Sequence, residues 1–415
     1  MNYPTALSGP SFNFQISEGS AKLVLYFSGT KMGGGRFNYW QIGNGIDTHR
    51  LFINNGRNHW YQQGVPGLGD SVDDTVETIR LWAQKLGVKE FYAVGQSMGA
   101  FGAILHGAKL GARVLAFNAE TVLHLEAGRS IRMMQDKPFV AHPDLNSVIA
   151  EARLPIFALA GERDPVDIYC LDRIERQRNF HPKSMFGVGH GLASHLHNRG
   201  RFVPMLARFI DNRPPPTTRA YGAALDSPGF PQVFYDQHRH FTAHRLEKAV
   251  EAGHTAASLY QRADHSFYLT ASALMRLKNY AQALPFLERA LELAPNFPDY
   301  RFLLAQYLTN AGDKDRAIQI HEGIIAIRPA HAPSYFEMGM IHLSRGDLSQ
   351  ALESARRATE LKPENVKFAV LRQKIERRLA MPGRQYAPAL WLTDSIAEKY
   401  AYLYSAVAKL VAKRS

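Results

Sequence analysis

Phe91-Tyr-Ala-Val-Gly95-Gln96-Ser97-Met98-Gly99-Ala-Phe-Gly-Ala-Ile-Leu-His106 runs a short apolar strand straight into a helix of small residues, with a serine at the corner. A chain that turns from strand to helix this sharply brings two backbones together. Glycine two places to either side of the serine removes the Cβ atoms that would collide there. The five-residue G-x-S-x-G pattern recurs by chance; the strand before it and the helix after it are what make it specific. A serine hydroxyl so placed needs a base and an acid to act as a nucleophile.

Outward from that corner, strands alternate with helices. Phe12 to Ile16 alternates apolar and polar residues, and Leu23 to Phe27 is a continuous apolar run, the mark of a strand covered on both faces. The run stops at the glycine-rich loop Ser28 to Gly35, which lacks the Lys-Ser or Lys-Thr of a phosphate loop. Leu51 to Ile53 reads as a strand, and a helix follows from Ser71, an N-cap, to about Leu86. Beyond the corner come strands at Arg113 to Phe117, Ile156 to Ala160 and Ser184 to Val188. Helices are expected at Ile168 to Arg178 and Arg201 to Ile210. This order predicts an α/β, doubly wound, mostly parallel sheet over residues 1–212. Arg213-Pro-Pro-Pro-Thr-Thr-Arg219 continues neither helix nor sheet, so residues 213–240 are expected to form a linker.

The strand signal then vanishes and a repeat begins. Pro295, Pro329 and Pro363 are spaced 34 residues apart, with Ala283, Ala317 and Ala351 in phase and small residues at Ala271, Ala305 and Gly339. Small side chains let paired helices approach, and the proline ends the second helix of each pair. The period and these positions resemble the tetratricopeptide repeat family, implying an all-α solenoid over 241–380. Repeats are placed at about 264–297, 298–331 and 332–365, with a capping helix from Val366 to Leu379. In the tail, 381–415, the positions of Ile396, Tyr400, Leu403, Val407 and Leu410 predict an amphipathic helix, docked on the repeats or touching a membrane surface.

With 415 residues, two domains are expected, and 46% hydrophobic with 21% charged residues belongs to the globular class. The formal charge of +12 is not concentrated in any basic run, so a nucleic-acid partner is not expected. The single Cys170 excludes an intramolecular disulfide. No leader-like start and no apolar run of membrane-spanning length is evident, which makes a cytoplasmic protein the expectation.

Gly161-Glu-Arg-Asp164-Pro-Val-Asp167 follows one predicted strand and Gly189-His190-Gly191 follows the next. These corners, the Gly95 to Gly99 corner and the loop after Leu23 to Phe27 are four elements in register that resemble the α/β-hydrolase family, over about Phe12 to Ile210. The resemblance implies Ser97 as nucleophile, His190 as base and Asp164 as the orienting acid. Asp167, which is also placed to cap the next helix, and Glu120 at the end of the preceding strand are the alternative acids. The implied oxyanion donors are the Met98 N–H and that of Thr30 or Lys31, in a loop where Ser28-Gly29 replaces the family's His-Gly.

The loop from Asn54 to Gly69 should border the pocket, making Arg36, Arg57, His59, Trp60 and Tyr61 candidates for binding substrate; the other reading is that its aromatics pack the loop onto the domain. The same stretch resembles, more loosely, hydrolase-like proteins of bacterial polysaccharide and glycoconjugate biosynthesis, which implies an acylated glycan as substrate. His190, His195 and His197 lack a carboxylate at ligand spacing, so neither metal nor cofactor is expected. Two functions follow. One is a serine esterase or acyltransferase that the repeats carry to a protein partner; the other is a repeat scaffold with a vestigial hydrolase domain.

Overall fold

A computed structural model describes residues 7–380, apart from 57, 135–139 and 176. The described residues divide into two compact units, one ending at Phe286 and the other beginning at Leu287.

The first unit is built on eight strands: β1 (Ser8–Gly9), β2 (Phe12–Gln15), β3 (Lys22–Phe27), β4 (His49–Ile53), β5 (Glu90–Gln96), β6 (Arg113–Phe117), β7 (Ile156–Gly161) and β8 (Phe180–Met185). Their order is β1-β2-β4-β3-β5-β6-β7-β8. The β1–β2 and β2–β4 pairs are antiparallel, and the others are parallel. Eight helices accompany the sheet: α1 (Trp40–Gly43), α2 (Val72–Lys85), α3 (Met98–Leu110), α4 (Ser130–Met133), α5 (Asn146–Glu151), α6 (Pro165–Asp172), α7 (Leu192–Asn198) and α8 (Phe202–Ile210). The Ser71 hydroxyl caps α2, accepting from the Asp74 N–H at 3.1 Å.

Because side chains alternate along a strand, the continuous apolar runs feed two cores at once. Leu23, Leu25, Phe27, Ala93, Val114 and Ala116 pack on one side with α2 and α3. Val24, Tyr26, Tyr92, Val94, Leu115 and Phe117 pack on the other with α7 and α8. Each fully buried Leu, Val or Phe contributes about 1.5–3 kcal/mol relative to exposure. Parallel register then aligns the strand ends: Phe27 lies opposite Gly95, and Gln96 opposite Phe117. The loops after β3, β5, β6 and β7 therefore emerge at one edge of the sheet.

Two expectations are corrected here. The last strand spans Phe180–Met185 rather than 184–188; Pro182 is tolerated because β8 is the sheet's outer strand. The expected linker over 213–240 is interrupted by a 3-10 turn, Ala224–Asp226, and by helix α9 (Phe230–Thr242), which brings Phe230 and Phe234 into the core shared with the sheet.

From α9 onward the helices alternate as first and second members of repeats: α10 (Leu246–Leu259), α11 (Asp264–Arg276), α12 (Tyr280–Leu293), α13 (Pro298–Ala311), α14 (Lys314–Ile327), α15 (Ala332–Arg345), α16 (Leu348–Leu361) and α17 (Val366–Ala380). First helices start at 230, 264, 298, 332 and 366 and second helices at 246, 280, 314 and 348, each 34 residues after the last. A repeat at 230–263 therefore precedes the three expected from sequence. Its in-phase signals were Ala249 and Ala256, both fully buried like Ala283 and Ala290. It was hidden because Gln237 replaces the small residue and Gln261 the proline. Gln237 fills its site by hydrogen bonding, donating to the Ser266 carbonyl at 3.0 Å and accepting from the Ser266 hydroxyl at 2.6 Å.

In the second unit, α13 to α17 bury small residues where helices cross, among them Ala305, Ala317, Ala351 and Ala355, with Leu371 and Ile375 of α17 closing the stack. The expected amphipathic tail, 381–415, lies outside the described residues. No helix among the described residues is long and apolar enough to cross a membrane.

Candidate functional site

The Ser97 corner is tight in the way its glycines require. A Cβ on Gly95 would lie 2.1 Å from the Gly99 carbonyl oxygen, and one on Gly99 would lie 2.2 Å from that of Phe27. Ser97 itself adopts φ 58° and ψ −125°, a conformation that is strained for a side-chain-bearing residue. Its N–H donates to the Phe117 carbonyl at 2.9 Å, which ties the corner to β6.

The Ser97 hydroxyl lies 2.8 Å from His190 Nε2, and His190 Nδ1 lies 2.7 Å from Asp167 Oδ2. A carboxylate accepts only, so the Nδ1 proton points to Asp167 and Nε2 is left to accept from the serine. The carboxylate behind the histidine is thus Asp167, not Asp164, whose nearest oxygen is 3.9 Å from Nδ1. Helix geometry exchanges the two expected roles. Asp164 is the N-cap of α6, accepting from the Asp167 N–H at 3.0 Å with Pro165 in the first turn, so Asp167 is delivered from the third helical position. Glu120 is not behind the histidine either. Its buried carboxylate accepts from the Ser130 N–H and hydroxyl and from the Arg129 N–H, anchoring the loop after β6.

Three residues escaped the sequence reading. Asn118, at the end of β6, donates to Asp167 Oδ2 at 2.8 Å and accepts from the Leu192 N–H at 3.2 Å. Gln96 donates to the His190 carbonyl at 3.1 Å and accepts from the Ala193 N–H at 3.2 Å. Together they brace the histidine turn from two strand ends, and those strand-end positions were the signal available. Arg129 is the third: its guanidinium pairs with Asp164, and Nη1 also lies 3.3 Å from Asp167. Nothing local in the sequence marks it.

The electrostatics follow from these contacts. Burial alone lowers the proton affinity of His190, but the charge and hydrogen bond of Asp167 outweigh it and leave the pKa above the ordinary 6.5. Burial raises Asp164, yet the charges of Arg129 and His190 more than offset this and hold it well below the usual carboxylate range. Asp164, Asp167 and His190 offer ligand atoms within 4.8 Å of one another, close enough to suggest a cation site. Arg129, in contact with both carboxylates, already supplies the positive charge that a cation would bring.

The loop after β3 is pinned from two sides. The Gly29 N–H donates to Asn38 Oδ1 at 2.7 Å, and the Lys31 N–H to Asn58 Oδ1 at 3.0 Å. Lys31 is therefore engaged rather than available as an oxyanion donor, which corrects one expectation. Thr30, between them, lines the same cavity as Ser97, and no hydrogen bond among the described residues takes its N–H. Met98 begins α3, where the first N–H groups have no partner within the helix.

The predicted substrate residues fare differently. Trp60 and Tyr61 are completely buried; Tyr61 donates its hydroxyl to the Ser28 carbonyl at 2.8 Å and so supports the β3 loop from below. His59 is also buried, Arg36 is exposed and away from the cavity lining, and Arg57 lies outside the described residues. The cavity beside Ser97, about 440 Å³, is instead lined by Asn38, Tyr39, Ser194, His197, Asn198 and Phe202 among others, with no Lys, Arg, Asp or Glu among the described residues of the lining.

Family models of the tetratricopeptide repeat match residues 240–296, 274–338 and 332–365. Residues 240–365 carry tetratricopeptide repeats. Such arrays are modules for protein–protein contact, and the first match begins within α9, in the helical pair that the 34-residue spacing adds. Among solved structures, MamA from Desulfovibrio magneticus is 20% identical, with 36% of this chain and 85% of that one covered at a TM-score of 0.34. YrrB, described as a repeat protein with an unusual peptide-binding site, is 21% identical, covering 44% and 89% at 0.31. A repeat protein of Thermus thermophilus is 18% identical, covering 44% and 95% at 0.33. No curated protein matches the chain.

Proposed function

We propose that the protein is a serine acyl hydrolase or acyltransferase of the α/β-hydrolase kind, acting on a neutral ester, with a repeat module that engages a protein partner. The observation that carries this reading is the unbroken hydrogen-bond chain from Ser97 through His190 to Asp167 at the wall of a cavity. His190 Nε2 takes the Ser97 proton as Oγ attacks the acyl carbon, and the resulting oxyanion is held by the Met98 and Thr30 N–H groups. The alcohol leaves with the proton from Nε2, and an acyl ester remains on Ser97. Water, or another hydroxyl, gives its proton to Nε2, takes the acyl group and releases the serine.

A described lining without Lys, Arg, Asp or Glu favours uncharged substrates, since desolvating a charged group without a partner is costly. Aromatic rings at Tyr39 and Phe202 beside the amides of Asn38 and Asn198 suit an acylated sugar, the substrate we place first. The base is neutral imidazole, so kcat/KM is full above the His190 pKa and falls about tenfold per pH unit below it. The test is labelling with a fluorophosphonate probe. Modification mapped to Ser97, and absent in Ser97→Ala, supports the reading; an unlabelled wild type overturns it. In that event the repeat scaffold with an inactive partner domain stands, a reading favoured by family matches confined to the helical repeats.

A further inference from the structure

Two carboxylates converge behind one histidine, and a single guanidinium touches both. The Asp167 side chain is fully buried, that of Asp164 is nearly so, and that of Arg129 is partly buried. Arg129 does not arrive there by chance of rotamer. Its own N–H and that of Ser130 are both tied to the Glu120 carboxylate, so the end of β6 fixes the backbone from which the guanidinium reaches. A fork held in this way leaves Asp167 Oδ2 to His190 and Asn118 while engaging Oδ1.

We propose that Arg129 is a positioning residue that holds the Asp167 carboxylate in line with His190, and that Asp164 is its counter-charge, the two together setting the basicity of His190. This rests on the acyl-transfer reading of the site. Without Asp164, the Arg129 charge would pull on Asp167 unopposed and weaken its support of an imidazolium. Without Arg129, two like charges would face the imidazole and strengthen that support. The other groups facing this cluster do not supply the balance. His238 of α9 and His265 of α11, which flank Asp164, are both pushed down by burial, His265 to about 3, so they carry no charge near neutral pH. Arg163 pairs with Asp264 of α11 at 2.6 Å, and burial raises Glu120.

The test is the titration of His190 in the full-length protein. It is followed by the imidazole resonances in NMR and, independently, by the pH profile of fluorophosphonate labelling. Asp164→Asn, which can still cap α6, should move the titration down by about one unit, and Arg129→Gln should move it up by a similar amount. The double variant should return towards wild type, and Arg129→Lys should keep the wild-type titration with a slower labelling rate, because an ammonium restores charge but not the fork. Shifts in the same direction in Asp164→Asn and Arg129→Gln, or a titration that neither of these two variants moves, overturn the proposal. Should no variant nor the wild type label, the acyl-transfer reading fails, while the resonances still report whether the opposing shifts exist.

Discussion

The sheet-built unit and the repeat unit of this chain place their polar groups in opposite ways. Around β5, β6 and β7, polar and charged side chains are buried or partly buried and each contact is defined: Asp167, Asn118 and Gln96 hold partners from distant parts of the chain, and Glu120 holds the nearby Ser130. In α13 to α17 the ion pairs lie largely on the surface, as between Arg328 and Asp299, and the interior is mostly a stack of alanines with a few larger apolar residues, the buried His321–Ser334 pair being an exception. A buried polar network is costly unless every member is satisfied, so its geometry is set by many partners at once. A stack of small residues asks only for close approach, and it can be repeated every 34 residues.

The contrast predicts where substitutions bite. Ser97→Ala should have the largest effect, a loss of about 10⁴-fold or more in ester turnover, with an unchanged helical circular dichroism spectrum. Residual turnover near wild type would mean that the buried network serves no acyl transfer. Gly99→Val, which drives a Cβ against the Phe27 carbonyl, should destabilise the sheet unit by roughly 3 kcal/mol or more, read as a lower denaturant midpoint. Ile375→Ala should cost the repeat unit about 2–4 kcal/mol, because its fully buried side chain leaves a cavity in the α15–α17 stack. Arg328→Ala, which removes one half-exposed ion pair, should change stability by less than about 0.5 kcal/mol; a larger loss would show that the repeat surface is also a specific network.

What was legible in the sequence was local. The Gly95 to Gly99 corner and the Ser71 cap are each written within one or two turns of chain, where sterics and capping act between near neighbours, and the 34-residue period is written by recurrence of the same few positions. The Ser97 and His190 positions followed from strand ends, since parallel register brings those ends to one edge whatever the loops contain. The first repeat was missed for the converse reason: Gln237 meets the packing demand through Ser266 and Thr270, residues of another helix that no local pattern reveals.

Sequence by itself therefore determined the two architectures, the serine corner and the histidine turn. Tertiary structure alone decided which acid stands behind His190, because a one-turn offset between Asp164 and Asp167 is invisible until α6 has a direction. It alone brought Arg129 to both carboxylates, and it alone sent Trp60 and Tyr61 inward, Tyr61 to support the β3 loop, rather than outward to meet a ligand. The physical reason is common to all three: spacing along the chain fixes which residues share a turn, whereas the partner of a buried polar group is chosen by packing.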